Sequence, residues 1–192
     1  MCPAKFEKIL HIGDFNVVDG SIVATDPCNK TLDGSGTAFF SNCEVGLWHA
    51  FVEDDTADTY KLIVISSQAD PDLSSWTISL GDFVTVVSGQ AGLFDKARYQ
   101  YDQEFYEKLC DLTARDVGDV AERKLPGLES WCFEWGAVSA TATGDGKFLC
   151  HAMLTDEGIT VGVAIDFYRS YTDWKDISLN RLSKSARVSD WE

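Results

Sequence analysis

The stretch from Ala140 to Phe167 constrains this chain most. Apolar residues recur every second position in two runs, Phe148, Cys150, Ala152 and Leu154, then Ile159, Val161, Val163, Ile165 and Phe167. Successive side chains leave opposite faces of a strand, so each run describes a half-buried strand. The intervening Thr155-Asp156-Glu157-Gly158 is short and polar, and Gly158 suits a positive backbone angle. A β-hairpin follows, and a hairpin needs further strands to cover its apolar face.

The rest of the chain offers them. Ser21 to Thr25 reads as a strand that Asp26-Pro27 ends, because proline cannot donate to a ladder. Strands are also expected over Thr37 to Cys43, Leu47 to Val52, Trp76 to Leu80 and Phe83 to Val87, and a long one over Ser130 to Ala140. Tyr60 to Ile65 (YKLIVI) is almost continuously apolar, as in a strand covered on both faces. Gly13-Asp14 separates a short apolar run from Val17-Val18, and Gly81-Asp82 reads as a turn.

One amphipathic helix is expected near residues 95–115. Asp95 can serve as its N-cap, and Tyr101, Phe105, Leu109 and Leu112 form a single stripe. Shorter helical turns are expected over Asp116 to Arg123 and near Leu179 to Ser185, with Trp174 and Trp191 as tail anchors. Many strands without a strand–helix repeat give a mainly β fold, with α+β as the alternative. The architecture expected is an antiparallel β-sandwich or partly open barrel carrying that helix, in a single domain over residues 1–192.

Composition narrows the function classes. Lys and Arg number 16 against 31 Asp and Glu, a net charge of −15. Such a surface repels nucleic acid and favours a basic protein as partner, or serves solubility. No apolar run of membrane-spanning length occurs and no secretory leader is visible, so a cytoplasmic location is expected. The six cysteines form no CxxC pair and read as small hydrophobes in a reducing compartment. Ligand spacing for a metal is missing, so no metal or cofactor is expected.

Two sets of acidic residues stand out. Asp26, Asp95, Asp145 and Asp166 lie at strand or helix ends, where converging carboxylates suit hydrolysis with or without a divalent metal. The bland reading is that turn aspartates bond local amides and that Asp166 pairs with a cation such as Arg169 or Lys147. Glu53, Asp54, Asp55 and Asp58 form an acidic turn able to steer a basic partner. The only histidines are His11, His49 and His151. Cys150 and His151 are adjacent in a strand and face opposite ways, so they form no thiol–imidazole dyad; His49 could meet Cys43 across a turn.

Four motifs in order carry a resemblance: GSIVATDPC (Gly20 to Cys28), VVSGQAGLFD (Val86 to Asp95), ATGDGKF (Ala142 to Phe148) and GVAIDF (Gly162 to Phe167). Together the chain resembles the bacterial domain-of-unknown-function family 4241. Val87 and Ser88 stand where that family tends to have Asp-Ala. The resemblance implies a related fold and no mechanism. The functional expectation is a protein-binding module, possessing an inhibitor-like profile toward a basic partner; the alternative is a hydrolase using the four aspartates.

Overall fold

The computed structural model describes residues 8–29, 32, 36–55, 58–69, 74–99, 123–124, 130–141 and 143–167. Its strands are β1 (Lys8–Val17), β2 (Ile22–Thr25), β3 (Ala38–Phe40), β4 (Gly46–Asp55), β5 (Asp58–Ser66) and β6 (Ser74–Val86). They continue as β7 (Gln90–Asp95), β8 (Arg123–Lys124), β9 (Ser130–Phe133), β10 (Gly136–Ala140), β11 (Gly146–Thr155) and β12 (Thr160–Asp166). One sheet has the order β1-β4-β5-β12-β11-β6, the other β3-β2-β7-β10-β9 with the two-residue β8 at its edge. All strand pairs are antiparallel and neither sheet closes on itself, so the fold is a β-sandwich. Among the described residues there is no helix, and so none long and apolar enough to cross a membrane.

The hairpin expected from alternation is β11 and β12, with Cys150 opposite Ile165 and Ala152 opposite Val163. Gly158 takes φ +79 in its turn. Phe148, Cys150, Ala152, Val163 and Ile165 point between the sheets, where they meet Trp48, Ala50, Leu62, Val64, Ile22, Ala24 and Leu93. The outer face of each sheet carries a second apolar cluster. On the first it is Phe51, Ile63, Ile65, Met153 and Ala164; on the second, Val23, Phe94, Trp131, Phe133 and Val138. Coverage of both faces explains why YKLIVI in β5 shows no alternation.

Four expected boundaries change. Gly13-Asp14 does not break β1; it sits inside one ten-residue strand that bulges between His11 and Gly13. Gly81-Asp82 is no hairpin turn either, because β6 runs through it, with a register shift opposite Leu149 and His151. Ser130 to Ala140 is two strands, since Glu134-Trp135 turns β9 back into β10. Gln90 to Asp95, expected to lead into a helix, is central strand β7, every residue of it buried. Of the helix near 95–115, Asp95 ends β7, residues 96–98 form a turn and Tyr99 belongs to no element; residues 100–115 lie outside the described residues. So do 116–122 of the short helix expected over Asp116 to Arg123, whose last residue instead belongs to strand β8, together with the 179–185 turn and the two tail tryptophans.

Candidate functional site

On a regular strand His11 and Asp14, three residues apart, would face opposite ways. The bulge in β1 adds one residue against β4 and reverses the phase, so both reach the outer face of the first sheet. Glycine at position 13 makes this possible. Its φ is +151, and a Cβ there would lie 2.6 Å from the Cβ of Cys132 on β9. Close packing between the two sheets therefore leaves no room for a side chain at the bulge, and the bulge sets the side-chain pattern.

Pairing with β4 brings in the third residue. His11 lies opposite Phe51, and Asp14 lies opposite His49. Asp14 Oδ1 is 2.7 Å from His11 Nε2 and 2.7 Å from His49 Nδ1. Burial alone would raise the Asp14 pKa, but hydrogen bonds from His49 and His11 and their charges outweigh it, holding the carboxyl below its usual value. An ionised carboxylate only accepts, so both imidazole nitrogens carry the shared protons. The imidazole rings stand edge to face with centroids 5.9 Å apart, and His11 also leans on Phe51 at 5.3 Å. One donor atom from each of the three residues lies within 4.8 Å of the others. The histidines are half-buried against the outer apolar cluster, while Asp14 faces solvent more openly.

The four aspartates do not gather. Asp26 ends β2 and Asp95 ends β7; because those strands are antiparallel, with Ile22 opposite Asp95, the two lie at opposite ends of the pair. Asp26 is fully buried and its oxygens are occupied. They accept the amides of Cys28, Val87 and Ser88 and the Ser88 hydroxyl, at 2.7–3.0 Å. Asp145 accepts the Gly89 amide at 3.1 Å, so Asp26 and Asp145 together clamp the crossover from β6 to β7. Asp95 accepts the Val18 amide at 3.3 Å, and Arg98 Nε stands 3.8 Å from its other oxygen. Burial, the largest influence, raises its pKa.

Asp166 lies on the outer face of β12, directly opposite Lys61 of β5. Lys61 in turn faces Glu53 of β4, with Nζ 2.7 Å from Oε2. That contact is short but poorly directed for a hydrogen bond, so Coulomb attraction holds it. Glu53, Lys61 and Asp166 thus form a buried charged row across three strands, and buried His151 of β11 stands one rung away, opposite Ala164. Glu53 therefore leaves the proposed surface patch: it is covered and neutralised by Lys61, whereas Asp54, Asp55 and Asp58 continue along β4 and β5 beyond it.

Among the described residues, Cys43 and Cys150 are buried in the core with free thiols. Burial pushes the Cys43 thiol up to about 12, which keeps it unreactive. Its sulfur bonds the Phe40 carbonyl, while His49 turns to Asp14 instead. The sequence signal for the His11–Asp14–His49 cluster was Gly13 itself, since glycine inside a strand marks a bulge. Comparison of the chain with protein-family models, with curated proteins and with solved structures gave no match.

Proposed function

We propose that the protein binds a divalent transition-metal ion through His11 Nε2, His49 Nδ1 and a carboxylate oxygen of Asp14. The observation that carries this reading is the convergence of these three donor atoms within 4.8 Å on a solvent-facing rim. Two imidazoles and one carboxylate suit zinc, iron, nickel or copper better than magnesium or calcium, which prefer oxygen throughout. Bonds of about 2.0–2.1 Å in a tetrahedron separate neighbouring ligands by about 3.3 Å, so the 2.7 Å contacts must open slightly. Three protein ligands leave at least one position for an exchangeable group, as in sites where the ion acts as a Lewis acid. Each imidazole must present its bonded nitrogen without a proton, which moves to the other ring nitrogen or, from a charged ring, to solvent. Protons thus compete with the ion, and affinity should rise with pH.

Isothermal titration with zinc or cobalt(II) tests this. The native chain should bind one ion, and His11→Ala or His49→Ala should weaken binding by at least about 100-fold, beyond the usual effect of losing an outer partner. Equal affinity in the native chain and a His11→Ala/His49→Ala double variant would refute it.

A second reading, docking of a basic protein, is favoured by the net charge of −15. Attraction of this kind is screened over about 8 Å at physiological salt. Binding of a lysine-rich model peptide should therefore fall steeply with salt, and reversing Asp54, Asp55 and Asp58 to Lys should weaken it. Salt-independent binding would count against steering.

A further inference from the structure

We propose that Phe51 is the positioning residue of this centre, holding both imidazoles and keeping water from one side of the ion. The site then prefers a four-coordinate ion such as zinc or cobalt(II) to nickel(II), which seeks a fuller, tetragonal set. This inference rests on the metal reading above and narrows it. The register of β1 and β4 is its starting point. His11 lies opposite Phe51, and Asp14 lies opposite His49 on the next outward rung, so four outer side chains stand at the corners of a square. Three corners carry donor atoms. The fourth, diagonal to Asp14, carries a benzene ring that offers no ligand atom.

That ring lies against both ligand histidines. Its centroid is 5.3 Å from that of His11, with the planes at 52°, and 6.4 Å from that of His49, at 64°. Inclined and edge-on arrangements are the favourable ones for neighbouring rings. Orientation matters here, because a half-turn of either imidazole about its stem would put a carbon where His11 Nε2 or His49 Nδ1 meets Asp14. Asp14 holds the donor edge of each ring, and Phe51 supports its body.

Exposure across the square shows where water can reach. Phe51 is 1% exposed, the His11 and His49 side chains 20% and 19%, and the Asp14 side chain 42%. Ile63 and Ile65 of β5, opposite Phe51 and His49, are buried in the same outer cluster and extend the apolar wall. An ion held by the three donors therefore draws its remaining ligands from solvent over Asp14 and from beyond β1, the last strand of its sheet. None comes from the Phe51 corner. The apolar shell of a metal governs solvent access to it, and so the waters it can keep. One vacancy completes a tetrahedron, whereas a tetragonal ion loses the position that faces the ring.

The test uses the full chain, with zinc, cobalt(II) and nickel(II) affinities from calorimetry and the visible bands of cobalt(II). In the native chain cobalt(II) should bind at least as tightly as nickel(II), against their usual order, and show the strong bands of a four-coordinate ion. Phe51→Ala should raise the nickel-to-cobalt affinity ratio by at least about tenfold, the lower end of what losing a ligand's partner does. Its cobalt bands should weaken as waters join the ion. Phe51→Leu keeps an apolar wall without the ring, so it should retain the native ratio and bands while binding both ions more weakly. Met153→Ala truncates the same outer cluster from β11, and should lower stability with ratio and bands unchanged. Weak, six-coordinate cobalt bands in the native chain would overturn the inference yet leave the metal reading standing. So would a Phe51→Ala chain with the native ratio, or a Met153→Ala chain whose ratio shifts as far. If Phe51→Ala does not fold, Phe51→Leu decides, since native affinity for both ions would show that the ring positions nothing. Failure of the native chain to bind any of the three ions would remove both.

Discussion

Lys61→Met should destabilise the protein by about 3–5 kcal/mol at neutral pH, read as a fall in the urea midpoint at unchanged slope. Lys61 is the cation of a buried row, with Glu53 at 2.7 Å on one neighbouring strand and Asp166 opposite it on the other. Methionine fills much the same volume, so the loss is one of charge rather than packing. It leaves two carboxylates on one covered sheet face, and an uncompensated buried charge costs more than the pair ever contributed. Two further results follow from that cause. Adding Glu53→Gln should restore part of the stability, because the orphaned carboxylate is gone. The deficit should also shrink as pH falls and the carboxylates protonate. A Lys61→Met chain within about 1 kcal/mol of native at pH 7.5 would show that the row is hydrated and cheap to break.

How far this arrangement can be read from sequence depends on where its causes lie. The β11–β12 hairpin was legible because its cause is local: Phe148, Cys150, Val163 and Ile165 alternate and Gly158 fits its turn. Strand β7 was not, because burial of both faces removes alternation from Gln90 to Asp95, and Asp95 followed by a polar turn imitates a helix start. That imitation has substance, since the Asp95 carboxylate does accept backbone amides, those of Val18 and Ala97. Asp26 looked chemically available only while its partners were unknown; Val87 and Ser88, sixty residues on, use both of its oxygens. The His11–Asp14–His49 cluster depends on a bulge at Gly13, where Cys132 of the other sheet leaves no room for a Cβ. Spacing rules for strands fail at such a point. The local pattern of β1 would have placed His11 and Asp14 on different faces.

Acid should weaken the fold through His151, and the effect should have a defined window. Burial first, and the nearby Lys61 charge second, lower its pKa from 6.5 to about 4. In the unfolded chain the imidazole takes up a proton as pH falls below about 6.5, while in the native protein it stays neutral until about 4. The unfolded state therefore binds more protons throughout that interval, and stability falls with pH across it. Above pH 6.5 the group contributes no pH dependence; below about 4 the loss is complete, at roughly 3 kcal/mol. Other groups act elsewhere or in the opposite sense. Asp14, held below its usual value, loses its contribution only as pH drops under 3.8, and Asp95, raised by burial, favours the native state as it protonates. Both are shared by the native chain and a His151→Met variant, so the difference between their stability curves isolates the imidazole. Between pH 7 and pH 4 the native chain should lose about 3 kcal/mol more than the variant. Parallel curves would mean that water solvates the imidazolium or that Lys61 swings away from it, and that the outer face of the first sheet is less closed than its packing indicates.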